Sequence, residues 1–152
     1  MTIPKETIPK KLTITLIIIS FLGFLNATYL SAEHFAGGIP NCSFLRGCEL
    51  VTTGEYSMLG PIPIAYMGLA YYLIIFVLVM AYRECGVRKI LKYLGYLTFL
   101  GFLFSLWLVY LQAFIIKAFC LYCMVSAITS TVLFILILAA IVESRWLEYL
   151  AE

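Results

Sequence analysis

Residues Leu12–Phe35 read LTITLIIISFLGFLNATYLSAEHF, and this stretch decides the fold. No charged side chain appears in it before Glu33. A helix rises about 1.5 Å per residue, so about 20 apolar residues cross a hydrocarbon layer roughly 30 Å thick. Lys10 and Lys11 precede the run, and Gly37-Gly38-Ile39-Pro40 stops it. The run is too long for the apolar part of a secretory leader. It also lacks a small-residue cleavage site, so an uncleaved signal anchor is expected.

Outward from this segment the same pattern recurs. A polar, broken stretch from Gly37 to Pro63 is followed by apolar runs at Ile64–Tyr82, Ile90–Phe114 and Ala118–Val142. Arg83–Lys89 forms a charged turn, and the amphipathic ESRWLEYLAE follows the last run. The 152 residues are 64% hydrophobic and only 12% charged. Soluble domains carry about 25% charged residues, so an ordinary soluble domain and a disordered chain are both excluded. A net charge of +2 without a basic cluster excludes a nucleic-acid partner. The expected fold is an all-α integral membrane bundle of four transmembrane helices, one domain over residues 1–152, with a long loop at 37–63.

The cationic residues orient this bundle. Lys5, Lys10, Lys11, Arg83, Arg88, Lys89, Lys92 and Arg145 fall on one side, and Arg46 and Lys117 on the other. The excess of Lys and Arg stays cytoplasmic. Both termini and the helix 2–3 turn are therefore expected inside, in a plasma-membrane protein. The Gly37–Pro63 loop and the helix 3–4 turn are expected outside.

Five cysteines sort onto this topology. Cys42 and Cys48 lie in the outer loop, in NCSFLRGCEL; Cys120 and Cys123 form FCLYC at the outer start of helix four; Cys85 is alone inside. Disulfides persist outside the cytosol, so two outer pairs and one inner thiol agree with an orientation derived from other residues. A CxxC at a helix start places its first sulfur where unpaired N–H groups and the helix dipole favour an anion, and the thiolate is the attacking species. Lys117 stands three residues upstream, where its charge can add to this. The second cysteine sits nearly one turn deeper. Phe44, Leu45, Cys48 and Val51 recur at helical steps, which predicts a short amphipathic lid helix on the membrane surface. A redox relay, two static structural disulfides and a four-cysteine zinc site are the readings these residues allow, and the uneven spacing of the pairs disfavours zinc.

This arrangement resembles the bacterial and archaeal homologues of vitamin K epoxide reductase. The resemblance runs from about Gly23 to about Ala127. It rests on GFLNATYL, Cys42-x5-Cys48 with Val51 after it, Tyr56, Ile62-Pro63, Gly68 and FCLYCMVSA. The DsbB-type disulfide generators also have four helices and two outer pairs, but with the CxxC in the first loop. The resemblance implies a quinone-dependent thiol-disulfide oxidoreductase that supports disulfide formation. Cys42 would exchange with a reduced thioredoxin-like (DsbA-like) protein, separate from this chain. Cys48 would pair with Cys42 and pass electrons to Cys120, and Cys123 would face a quinone of the ubiquinone or menaquinone type; no metal is implied.

The sequence departs from the pattern at several places. Gly54 stands where the family commonly has a serine, with Thr53 and Ser57 as substitutes nearby, and Tyr56 stands for the usual tryptophan. Ile64 and Ala127 occupy the positions where vertebrate enzymes bind the vitamin K headgroup through asparagine and tyrosine. Simple quinone reduction is thus expected rather than epoxide reduction. Ile64, Met67 and Ala127 are the expected pocket residues, with Tyr66 and Trp107 as further wall candidates. His34 reads as an interfacial polar end, and Asn26 as a polar residue facing the bundle.

Overall fold

The computed structural model describes residues 8–38, 40 and 47–151, with only the backbone helix for 145–151. Four helices are long and apolar enough to cross a membrane. They are α1 (Lys10–Ala36), α3 (Ile64–Cys85), α4 (Arg88–Tyr110) with its π-helical extension Leu111–Ile116, and α5 (Leu121–Ala151). Between α1 and α3 lie the short helix α2 (Cys48–Thr53), a 3-10 turn at Glu55–Ser57, and a hairpin of β1 (Met58–Leu59) and β2 (Ile62–Pro63). The spans follow one another up and down.

The helix ends follow from the residues there. Gly37 adopts a left-handed conformation (φ 67°). Its N–H donates to the His34 carbonyl and that of Gly38 to the Glu33 carbonyl, which satisfies the last carbonyls of α1. Gly86 (φ 63°) closes α3 in the same conformation, and α4 begins two residues later. The charged turn expected over 83–89 is therefore shorter, because α3 continues through Cys85. The expected amphipathic tail is no separate element: α5 runs without a break through Ala151.

Packing is tightest where small residues let helices approach. Gly23 of α1 lies against the ring of Tyr72, where a Cβ would overlap the aromatic carbons. Tyr72 is buried; its hydroxyl donates to the Ser126 carbonyl at 2.7 Å and lies 3.0 Å from Ser126 Oγ. One side chain thus joins α1, α3 and α5. Below it Leu16, Ile75, Val79, Leu94, Leu133 and Ile137 form the dry core. Two buried hydroxyls bond to their own helix: Ser20 to the Ile17 carbonyl (3.0 Å) and Thr98 to that of Leu94 (2.7 Å). No lipid-facing polar group is created in this way. Ile14, Ile18, Leu22 and Leu25 point outward and are exposed, as a lipid-facing surface requires.

The close α1–α3 approach gives a test. Gly23→Ala should lower the thermal unfolding midpoint of the purified protein in detergent, at a cost of about 1–3 kcal/mol. Gly68→Ala, where the nearest atom is the Ala27 Cβ at 3.9 Å, should leave the midpoint unchanged or slightly raised.

Candidate active site

The junction between α4 and α5 builds the site. At Leu111 the α-helix widens into a π-helical turn that ends at Lys117, a residue in the left-handed conformation (φ 53°). Such turns are uncommon and concentrate at functional sites. Gln112, buried inside the turn, accepts the N–H groups of Lys117 and Ala118 on its backbone carbonyl. Its side-chain carbonyl accepts the N–H of Cys120 at 2.9 Å. One residue therefore holds three of the four amides leading into α5.

Cys120 is the residue just before α5, not a residue within it. The sequence reading began this helix near Ala118, but the left-handed Lys117 and the Gln112 bonds reset the chain, so the first helical residue is Leu121. The Cys123 N–H donates to Cys120 Sγ at 3.4 Å. A sulfur here does what a serine or aspartate oxygen does at an N-cap, accepting from the third helical N–H. The Cys120 thiol is lowered to about 7 from an ordinary value near 9, first by the Cys123 side chain and further by the backbone N–H groups of Cys123 and Tyr122, against the opposing effect of burial. Lys117 is not among the groups that lower it.

Cys120 and Cys123 are free thiols, as is exposed Cys85 at the opposite end of the bundle. Cys48 is disulfide-bonded and almost fully buried. Cys42 lies outside the described residues, as do Phe44 and Leu45 of the expected lid helix. What is described of that helix begins only at Cys48. The approach of lid to CxxC is visible in the backbone. A Cβ on Gly47 would come within 2.7 Å of Phe119 N and 2.9 Å of the Ala118 Cβ. Gly47 precedes Cys48 and Phe119 precedes Cys120, so the two cysteine-bearing segments touch.

Beneath this contact lies a cavity of about 290 Å³. On α5, Cys123, Ser126, Ala127 and Ser130 line it. Their spacing of three and four residues marks one helix face. On α1 the lining is Asn26, Ala27, Leu30 and His34; on α3 it includes Ile64, Met67, Gly68 and Tyr71; α4 adds Leu97, Gly101, Phe104 and Leu108, and the π turn adds Gln112. Val51, Thr52, Tyr56 and Ser57 roof it. Among the described residues no Asp, Glu, Lys or Arg lines it, so it suits a neutral, largely apolar molecule such as a quinone headgroup. Cys123 is on the wall and Cys120 is not.

The expected pocket residues Ile64, Met67 and Ala127 all lie on this wall, whereas Tyr66 and Trp107 do not. Tyr66 instead meets His34 edge-on at 6.0 Å, and Trp107 packs on Phe104. Ser57 reaches the cavity; Thr53 instead donates to the Glu49 carbonyl. Asn26 faces the bundle as expected and donates to the Tyr122 carbonyl at 3.0 Å, inside the CxxC. Gln112 was not singled out from the sequence. Its signal was there: a carboxamide in an otherwise apolar span, the kind of residue that marks function in membranes.

Four membrane helices, a largely apolar cavity and a helix-capping CxxC close to the segment that bears Cys48 suit a membrane redox protein of the disulfide oxidoreductase class. The chain belongs to the vitamin K epoxide reductase family, whose model matches residues 14–138. It is accordingly a multi-pass membrane oxidoreductase. Members of that family are in general associated with quinones and thioredoxin-like partners. No curated protein matches the chain.

The thiol geometry fixes a pH dependence. Only the thiolate attacks an alkylating reagent, and Cys120 is half ionised near its lowered value of about 7. In the reduced protein its alkylation, read by peptide mass spectrometry, should be full well above pH 7 and fall away below it. Gly47→Val should force the lid off Ala118–Phe119 and raise that alkylation rate at pH 7 severalfold, since Cys120 is otherwise wholly covered.

Proposed function

We propose that this protein passes electrons from a reduced thioredoxin-like thiol protein, through Cys42 and Cys48 and then Cys120 and Cys123, to a quinone, and so supports disulfide formation outside the cytoplasm. The observation that carries this reading is the split of the CxxC. Cys123 faces a neutral cavity of headgroup size, while Cys120 lies outside that wall, beside the lid that bears Cys48.

The exchange steps balance. A partner thiolate attacks Cys42 and the Cys48 thiolate is released; the second partner thiol then resolves the mixed disulfide and the partner leaves oxidised. The Cys48 thiolate attacks Cys120 of an oxidised CxxC, Cys123 leaves as a thiolate, and Cys42 displaces Cys120 to re-form the lid disulfide. Cys120 and Cys123 are then a dithiol. Free thiols at 120 and 123 with a disulfide at Cys48 correspond to this stage. When bound, a quinone supplies the acceptor for two electrons and two protons as the CxxC disulfide re-forms.

This chain's own residues do the rest. The Cys123 side chain first, and the capping amides with it, lower the Cys120 thiol to about 7, so a good part of it is thiolate near neutral pH and it can act as nucleophile and as leaving group. The cavity walls exclude water from Cys123. Ile64, Met67 and Ala127 give the headgroup apolar contact. The cationic residues Lys10, Lys11, Arg83, Arg88, Lys89 and Lys92 gather at the bundle end opposite the cysteines, which supports a cytoplasmic location for that end and an external one for the cysteine pairs.

Anaerobic mixing of the purified protein with a quinone and a dithiol protein tests the reading through quinone absorbance. Wild type and Cys85→Ser should reduce quinone equally, and Cys123→Ser should fall to background. Cys120→Ser should accumulate a stalled species at the lid pair on non-reducing gels. Equal loss in the Cys85 and Cys120 variants, or no quinone bleaching by wild type, would contradict it.

A further inference from the structure

Gln112 has a second face. A backbone N–H needs an acceptor, so the bond from Cys120 fixes which end of the carboxamide is oxygen. The –NH₂ end is thereby assigned as well. Among the described residues it donates to none, yet Gln112 lines the cavity. Three other polar side chains of the wall have partners within the bundle. Asn26 donates its amide to Tyr122, Tyr72 is bonded to Ser126, and Tyr71 lies 3.2 Å from Ser130 Oγ. Apart from Cys123, Gln112 is the one described residue that both lines the cavity and hydrogen-bonds Cys120.

We propose that Gln112 is a positioning residue that joins the two halves of the site, its carboxamide oxygen holding Cys120 in capping geometry and its –NH₂ offering a hydrogen bond to the carbonyl of a molecule in the cavity. The inference rests on the quinone reading for its second half and on the structure alone for its first. Gln112 carries no proton to the reaction. It holds the N–H of Cys120 so that the sulfur stays over the amides of Tyr122 and Cys123, and it turns toward the cavity the donor that a neutral carbonyl compound needs. A planar group bonded at one end to Cys120 keeps a carbonyl bonded at its other end close to the CxxC.

Gln112→Met, similar in length but without the amide, separates these claims. In the reduced protein without quinone, the pH midpoint of Cys120 alkylation should move up from about 7 toward the ordinary value near 9. In quinone reduction, KM for a short-chain quinone should rise about two- to tenfold, the effect of losing one neutral hydrogen bond. Either readout at its wild-type value overturns the assignment. So does a lower melting temperature with both readouts unmoved, which would make Gln112 merely structural. If Gln112→Met does not fold, Gln112→Glu serves, since a protonated carboxyl both accepts and donates. Its KM relative to wild type at the same pH should be near one at pH 5 and climb as the carboxyl ionises; a ratio independent of pH overturns the assignment. If wild type fails to reduce quinone, the proposed function fails, while the alkylation midpoint still tests the hold on Cys120.

Discussion

A helix that enters a membrane brings unpaired N–H groups to its first turn, and in α5 a sulfur answers them. Cys120 Sγ accepts the Cys123 N–H at 3.4 Å, and the same amides that need a cap are those that favour a thiolate. The start of the helix thus adds to the acidity of the thiol, to which the Cys123 side chain contributes first. The cap requires that the second cysteine follow at a spacing of three, because the third helical amide is the one a capping side chain reaches. The CxxC spacing carries this physical requirement besides its capacity to close a disulfide. Everything below follows from it: with Cys120 at the cap, Cys123 is carried inward, onto the face of α5 that Ser126, Ala127 and Ser130 continue along the cavity.

The cap in turn depends on a break placed at the right depth. A straight α4 would bury the N–H of Cys120 without an acceptor, and such a group is costly in a membrane. The π-helical turn Leu111–Ile116 swings Gln112 under the chain, and its two carbonyl groups take the amides of Lys117, Ala118 and Cys120. The left-handed Lys117 is the backbone cost of that reversal, of order 1 kcal/mol for a residue other than glycine. Three satisfied amides outweigh it, since each left unpaired would cost about 1–3 kcal/mol.

How far the sequence could be read follows from these same forces. The spans were legible because transfer of apolar side chains into lipid is additive along a run, and a helix is the only open segment that satisfies its own backbone there. Ile64 and Ala127 were expected at the pocket only through the family resemblance, and Met67 only as a candidate wall residue; all three line the cavity. The start of α5 was not legible. It is set by a hydrogen bond between Gln112 and Cys120, eight residues apart, and by one φ angle at Lys117, neither of which hydropathy registers. For the same reason Lys117 was expected to add to the thiol's acidity, whereas the neighbouring thiol and neutral amides supply it. Asn26 was recognised as turned inward, but its partner, the Tyr122 carbonyl, could be found only once α1 and α5 were packed.

The lid illustrates how a contact can be close without being strong. Disulfide exchange needs sulfur to meet sulfur along a direct line, so the proposed relay requires the Cys48 segment to come within bonding reach of the CxxC and also to leave it for a second partner. Side chains that interlock would give closeness at the expense of release. Gly47 offers backbone instead: it meets Phe119 and Ala118 at distances that leave no room for a Cβ. The lid helix is only six residues long and turns Leu50 outward, 61% exposed, so little apolar surface opposes its departure. Glycine at 47 thereby sets the approach, since any side chain there would meet the backbone of Phe119 and the Cβ of Ala118.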